Sequence, residues 1–185
     1  WVATANSVRR AVQTVDTSRI AAISITHQRE TFACVDKDDN PLRPAMLWLD
    51  SRAIDEVEKF GTDRVHEITG KPVNLTPAWY KLLWLLTHEP ETIERTHKVT
   101  DVQGFIVNRL TGDWVTSYGS ADPLGVIDMS TMDYSEELLA QARLKREQFA
   151  RLVAPGDLIG TVTNAVADEL GLPKNLPVIA GLGDG

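Results

Sequence analysis

Cysteine is nearly absent from this sequence, since Cys34 is the single one among 185 residues. A lone cysteine excludes an intrachain disulfide, which fits a reducing compartment, and we expect a cytoplasmic protein. The net charge of -7 is opposite to the basic excess of nucleic-acid-binding domains, so we expect no nucleic-acid partner. Apolar runs long enough to cross a bilayer are also lacking, and we expect no membrane partner.

The sequence also lacks the common nucleotide and metal motifs. It contains neither a P-loop nor the glycine fingerprint of dinucleotide-binding domains. The four histidines are scattered without metal-ligand spacing, so we assign them no catalytic role. For the assembly, a monomer and a homo-oligomer are both compatible with this sequence.

Composition is otherwise typical of a globular domain, with 43% hydrophobic and 24% charged residues. A chain of this length can bury one real core. The sequence starts at Trp1 inside a helical pattern and stops just after a strand-like segment that ends in Asp184. We therefore expect a domain trimmed at both ends. The alternative is a processed or tagged chain.

Short β-branched runs predict strands, and capping residues predict helices between them. Helix starts are indicated by Asp101, Ser135, and Thr163 or Asn164, and more strongly by Thr76 followed by Pro77. Asp50 or Ser51 could cap a further helix that stops at Gly61. The strands are predicted over 20–25, 31–35, 114–117 and 178–182.

The order of these elements predicts a mixed α/β sheet flanked by helices. The strand over 31–35 follows the preceding strand too closely for a crossover helix, so the sheet cannot be purely parallel. The longest stretch without a predicted element is 118–134. Long loops in compact domains are often functional, although this one could equally be a plain surface crossing.

The first candidate site follows the strand over 20–25 and consists of Gln28, Arg29 and Glu30. Arg donates hydrogen bonds in a fixed fork and Glu accepts them from hydroxyls, so the pair suits a polyhydroxyl ligand. The alternative is a solvated turn with an incidental ion pair.

The second candidate contains Trp48 and Asp50, with Arg52 close by. An indole can pack on the C–H face of a sugar while nearby charges hold its hydroxyls. The alternative is a core tryptophan followed by a helix cap.

The third candidate is Asp184, which follows a buried-strand pattern through Gly181 and Gly183 and precedes Gly185. A carboxylate at a strand tip can accept the proton of a hydroxyl that attacks a phosphate. Glycines let a backbone or a phosphate approach closely, so Gly183 and Gly185 are candidate cofactor-binding residues. The alternative is an ordinary Gly-Asp-Gly turn.

Four segments in this order resemble the FGGY carbohydrate kinase family, which includes glycerol kinase, xylulokinase and gluconokinase. The resemblance spans nearly the whole chain. The segments are Ile25–Thr31, Ala45–Arg52, Lys81–His88 and Ala180–Gly185. Ala78, three residues before the third segment, stands where the family usually has a hydroxyl residue or proline.

The resemblance implies residue roles and a fold. Arg29 and Glu30 would bind polyol hydroxyls, with Gln28 beside them, Trp48 would line the sugar site, and Asp184 would be the catalytic base and a Mg²⁺ ligand. The fold would be that of an actin-like ATPase, related to ribonuclease H. Two such domains would close around ATP, Mg²⁺ and a small-molecule sugar or polyol.

The resemblance also implies a domain assignment. Residues 1–185 would be the N-terminal, sugar-binding domain, truncated at both ends. An Asp-x-Gly-Thr phosphate hairpin would precede residue 1, and a C-terminal ATP-binding domain would follow Gly185. We expect the fragment alone to be inactive.

The expected activity of the intact enzyme is ATP-dependent phosphorylation of a sugar or polyol hydroxyl. Segment 74–77 stands where glycerol kinases usually place an aromatic that contacts glycerol, so other sugars, sugar acids and sugar alcohols stay open. The alternative function is a catalytically inactive sugar-binding or scaffold module.

Overall fold

The computed structural model describes residues 1–184 and has a mixed α/β architecture, as the sequence predicts. The helices are α1 (Val2–Val12), α2 (Ile54–Phe60), α3 (Asp63–Thr69), α4 (Ala78–His88), α5 (Pro90–Arg95), α6 (Val102–Thr111), α7 (Tyr118–Ala121), α8 (Glu136–Gln141) and α9 (Asn164–Leu170). The strands are β1 (Ile23–Ser24), β2 (Phe32–Val35), β3 (Lys98–Asp101), β4 (Val115–Ser117), β5 (Ile127–Asp128), β6 (Asp133–Tyr134), β7 (Arg151–Val153), β8 (Leu158–Thr161) and β9 (Pro177–Ile179).

The sheet that positions the candidate site has the strand order β1-β9-β8. Strand β9 runs parallel to β1, with Ile23 opposite Val178, and antiparallel to β8. The sheet is therefore mixed, which confirms the predicted class. Because β1 and β9 are parallel, their carboxyl ends lie at the same edge, although more than 150 residues separate them along the chain.

Three further strand pairs lie outside this sheet. Strands β2 and β3 are antiparallel, β4 and β7 are parallel, and β5 and β6 form a short antiparallel pair. Strand β2 also pairs with the segment that leads to Trp48, through a bridge between Phe32 and Met46. This bridge places the Trp48 segment beside the strand that follows Glu30.

Two hydrophobic cores support these elements. The first surrounds α4, whose Trp79, Leu82 and Leu85 are fully buried. That helix is apolar on nearly every side, and such helices are buried. The second core surrounds β9 and includes Val178 and Val107. The first core holds α4 behind the Trp48 segment, and the second core holds β9, the strand that leads to Asp184.

Several helix ends lie where the capping residues predict them. The side chains of Asp101, Ser135 and Thr163 each accept a hydrogen bond from a backbone N–H in the first turn of α6, α8 and α9. Gly112 and Gly171 end α6 and α9 in the left-handed conformation that glycine adopts without a steric penalty.

Other boundaries differ from the prediction. Helix α4 begins at Ala78 with Pro77 at its N-cap, and the Thr76 hydroxyl donates to Asn74 instead of capping the helix. Helix α2 is preceded by Ala53 at its N-cap, so neither Asp50 nor Ser51 caps it. The predicted strands 20–25 and 178–182 shorten to β1 and β9, and segment 118–134 contains α7, β5 and β6.

In the described part of the chain, the helices are too short or too polar to cross a membrane.

Candidate active site

The parallel pairing of β1 and β9 continues beyond both strands to a bridge between His27 and Gly183. The next residue, Asp184, donates its backbone N–H to the carbonyl of His27 at 3.0 Å. One carboxylate oxygen of Asp184 accepts the backbone N–H of Arg29 at 3.2 Å. A hydrogen bond thus holds the carboxylate at the start of the Arg29–Glu30 turn.

Two glycines make this close approach possible. A Cβ atom on Gly181 would lie 2.0 Å from the carbonyl oxygen of Ile25, and one on Gly183 would lie 2.3 Å from Cγ of Arg29. Neither glycine has a positive φ, so close packing rather than backbone conformation requires them. At Gly183 the missing side chain makes room for the aliphatic stem of Arg29.

The turn that carries Glu30 has an unusual backbone. Glu30 adopts φ 57°, a left-handed value that is uncommon outside glycine, and the N–H of Thr31 donates to the carbonyl of Arg29 at 2.7 Å. A hydrogen bond between residues two apart, around a central residue of positive φ, is a strained γ-turn. Such strain persists where the surroundings enforce it, and it is concentrated at functional sites.

The ion pair between Arg29 and Glu30 is loose. Its closest N···O distance is 3.5 Å, longer than the 2.7–3.2 Å of a normal N–H···O hydrogen bond. Both side chains are partly exposed. The pair can therefore offer donors and an acceptor to a ligand without first breaking a strong mutual bond.

Burial raises the pKa of the Glu30 carboxyl above its ordinary value, although nearby cations oppose the shift. The carboxylate of Asp184 adds to the increase. The opposing cations are Arg29, Lys71 and Lys81. Glu30 therefore ionises at a higher pH than an exposed glutamate does.

Trp48 and Thr76 complete a cleft of about 300 Å³. The indole of Trp48 is 38% exposed, so a ligand in the cleft can reach it. The hydroxyl of Thr76 donates to the side-chain oxygen of Asn74 at 2.8 Å, which leaves its lone pairs free to accept. The cleft is lined by Gln28, Arg29, Glu30, Trp48, Thr76 and Asp184.

Most of the residues predicted from the sequence therefore share this cleft. Among the predicted substrate-binding residues Asp50 is the exception, because it is not among the cleft-lining residues and its carboxylate binds Arg52 Nε at 2.8 Å. Burial opposes ionisation of Asp50, but the hydrogen bonds and charge of Arg52 together lower its pKa. Gly183 packs on Arg29, and Gly185 lies outside the described residues.

Two residues near the cleft were not predicted as site residues. Thr76 lines the wall, and Lys81 lies buried behind it on α4. The signal for Lys81 is a single charge within the apolar run from Ala78 to Leu86. Thr76 was interpreted as a helix cap, although the resemblance already places segment 74–77 where glycerol kinases contact glycerol.

A nucleotide-bound Mg²⁺ would fit Asp184. Within residues 1–184, no three potential ligand side chains form a ready-made metal cluster. Mg²⁺ in phosphoryl-transfer sites is usually held by one or two carboxylates together with substrate phosphates, so one exposed carboxylate is a sufficient protein contribution.

The chain belongs to the FGGY family of carbohydrate kinases. The model of that family's N-terminal domain matches residues 1–185. The solved structures it resembles confirm the actin-like α/β fold expected from the sequence.

Among the similar proteins is L-fuculokinase from Escherichia coli (strain K12), which is 33% identical over 87% of this chain and 35% of that protein. Xylulose kinase from Streptomyces rubiginosus is also 33% identical, over 89% of this chain and 35% of that protein. The ligand-bound xylulose kinase from Lactobacillus acidophilus has a similar structure, with a TM-score of 0.93 and 27% identity over 98% of this chain and 38% of that one. The chain thus spans about a third of the length of the curated relatives it matches.

Proposed function

We propose that the full-length protein containing this chain transfers a phosphoryl group from ATP to a hydroxyl of a sugar or polyol. One observation carries the proposal: the exposed carboxylate of Asp184 lies in the same cleft as Arg29, Glu30 and Trp48. This combination supplies a proton acceptor, hydroxyl-binding groups and an aromatic surface within one small volume. Membership of a carbohydrate kinase family supports the same reaction.

The cleft side chains would bind the acceptor before phosphoryl transfer. The guanidinium of Arg29 donates to sugar oxygens, the carboxylate of Glu30 accepts from hydroxyls, and Gln28 can do both. Trp48 packs on the C–H face of the sugar. Together they hold the reacting hydroxyl in line, and positioning supplies much of the rate in phosphoryl transfer.

Asp184 would act as the base. Its bond to the Arg29 backbone fixes one carboxylate oxygen at the strand end, from which it can accept the proton of the attacking hydroxyl. When bound, Mg²⁺ neutralises charge on the phosphates, and Asp184 is also the residue that would hold it. Gly183 and Gly185 stay predicted cofactor-binding positions beside the phosphates.

Two of the most similar relatives, L-fuculokinase and xylulose kinase, support a ketose as the acceptor, because fuculose and xylulose are both ketoses. The side chain of Thr76 at the cleft wall is small, which leaves room for an acceptor longer than glycerol. A panel of ketoses, glycerol and gluconate, each with ATP and Mg²⁺, tests the substrate class through sugar-dependent ADP release.

Asp184→Asn in the full-length protein tests the role of the base. General-base catalysis typically contributes about 100-fold or more, so kcat should fall by at least that factor. Calorimetry should show that sugar binding largely survives, since the amide keeps the shape of the carboxylate.

Asp113→Asn is the matched control, because Asp113 is exposed and is not among the cleft-lining residues. Its kinetics should equal those of the unmodified protein. A decrease of less than about tenfold for Asp184→Asn, roughly 1.4 kcal/mol in the barrier, would remove Asp184 from the role of base. Sugar binding without any phosphorylation would instead support an inactive binding module.

A further inference from the structure

Lys81 is a fully buried lysine on the cleft side of α4. Its ammonium group donates to three backbone carbonyls, those of Leu75 at 2.8 Å, Thr76 at 2.9 Å and Trp48 at 3.3 Å. An ammonium has three donors, so this environment uses its hydrogen-bonding capacity fully.

The three carbonyls belong to the two segments that form one side of the cleft. Trp48 and Thr76 both line it, and Leu75 is adjacent to Thr76. These segments are distant in sequence, and Lys81 connects them at a single atom. A second polar contact orients the same wall, since Asn74 accepts both the backbone N–H and the hydroxyl of Thr76.

A purely packing role does not explain a lysine here. Taking a charge out of water is strongly unfavourable unless hydrogen bonds compensate it, and an apolar side chain of similar volume usually gives equal or better stability. The neighbours of Lys81 along α4, including Leu82, Leu83 and Leu85, are such apolar residues. The distinctive property of Lys81 is the geometry it imposes on the two cleft segments.

We infer that Lys81 is a positioning residue that holds the Trp48 and Thr76 walls of the cleft in their sugar-binding arrangement. The inference rests on the proposed function and deepens it, because it assigns sugar affinity, rather than the chemical step, to a residue that lines no part of the cleft. Its effect should appear in the KM of the sugar, while kcat at saturation should change little.

The charge state of Lys81 gives an independent consequence. Burial lowers the pKa of the ammonium from its ordinary 10.5 to about 8, and the carboxylates of Asp50 and Glu30 limit the shift. Within residues 1–184, those two carboxylates are the charged groups that act on the ammonium. Loss of the proton removes one of three donors, so sugar affinity should weaken as pH rises through about 8.

Stability should change in the opposite direction over that range. Between about 8 and 10.5 the unfolded chain binds more protons at this lysine than the folded chain does. This group therefore makes folding more favourable as pH rises. A loss of sugar affinity in this pH range therefore cannot be attributed to unfolding that the deprotonation of Lys81 would cause.

Lys81→Met in the full-length protein is the direct test, because methionine keeps most of the volume and removes every donor. We expect the KM for the sugar substrate to rise about tenfold or more, with kcat within about twofold of the unmodified protein. The matched control is Lys98→Met, since Lys98 is a partly buried lysine that, like Lys81, donates to backbone carbonyls, here those of Glu147 and Phe149. That variant should be less stable with an unchanged KM.

Equal KM values for Lys81→Met and the unmodified protein would overturn the inference, as would a KM effect of the same size in Lys98→Met. If Lys81→Met does not fold, the sugar affinity of the unmodified protein between pH 6.5 and 9.5 decides. A decrease centred near pH 8 supports the inference, and a constant affinity overturns it. An unmodified protein that phosphorylates no sugar would overturn the proposed function first, and this inference with it.

Discussion

At the scale of single residues, Glu30 shows how the backbone serves the site. Its left-handed φ of 57° lies within the γ-turn that separates the end of β1 from β2. Glycine would adopt this conformation without strain, but it would supply no carboxylate. Glu30 therefore keeps an unfavourable backbone conformation at the position that places its side chain at the cleft.

Glu30→Gln should weaken sugar binding with little loss of fold, since the amide is isosteric and the turn is preserved. A hydrogen bond to a charged group contributes about 1.5–3 kcal/mol, so the KM should rise roughly ten- to hundredfold. Glu58→Gln, on the exposed side of α2, should leave the KM unchanged. Unchanged kinetics for Glu30→Gln would remove Glu30 from the site.

The pH dependence of sugar binding should also report on Glu30. The ionised carboxylate is the hydrogen-bond acceptor, so affinity should fall as pH falls through the pKa of Glu30. Because burial raises that pKa, the decrease should begin at a higher pH than for an exposed glutamate. Calorimetric titrations across the acidic pH range should show this decrease in sugar affinity in the unmodified protein and not in Glu30→Gln.

At the scale of elements, the site depends on how closely β1 approaches β9. Just beyond the two strands, the backbone of Ile25 comes so near that Gly181 has no room for a methyl group. The hydroxyl of Ser117, at the end of β4, donates to the carbonyl of Gly181 at 2.6 Å and fixes the same stretch from the other side. Because Asp184 is only three residues further on, these contacts of Gly181 also fix the position of Asp184.

Gly181→Ala should therefore disturb both stability and sugar binding. The new Cβ would meet the backbone oxygen of Ile25 at 2.0 Å, and relief requires a strand to move. Overpacking of this kind typically destabilises by about 1–3 kcal/mol, so the apparent melting temperature should fall and the KM should rise.

Gly160→Ala, on β8 of the same sheet, is the control for that substitution. Its added Cβ would meet Thr111 at 3.6 Å, which is an ordinary contact. It should melt within a degree or so of the unmodified protein. An equally stable Gly181→Ala variant would show that the close approach of the strands is not required.

Local signals in the sequence predicted the elements that depend on local physics. Side-chain caps such as Asp101 and Ser135 and a terminal glycine such as Gly61 act within one helical turn, so spacing alone identifies them. Strand β3 was missed because Lys98–Asp101 is short and mixed in polarity, and its pairing with β2 decides its conformation.

The candidate site shows the same division. The resemblance to the FGGY family predicted Arg29, Glu30, Trp48 and Asp184 as one site, and the structure brings these side chains to one cleft. Their catalytic and binding roles stay predictions. The backbone strain at Glu30 and the contacts of Lys81 depend on tertiary packing and leave little trace in a single sequence.

At the scale of the whole molecule, parallel pairing of β1 and β9 joins distant parts of the chain at one sheet edge. Ligands of open α/β sheets bind beyond the carboxyl ends of such strands. The Trp48 segment reaches the same edge through its bridge to β2, and the Thr76 segment reaches it through Lys81. The cleft is therefore a product of the global fold.

The most direct measurement is a crystal structure of the full-length protein with its best sugar substrate and a non-hydrolysable ATP analogue. We predict sugar hydroxyls within hydrogen-bond reach of Arg29 and Glu30, roughly 2.6–3.2 Å, and the acceptor hydroxyl at the same reach from Asp184. A sugar bound outside the cleft, or an acceptor hydroxyl facing away from Asp184, would contradict the account.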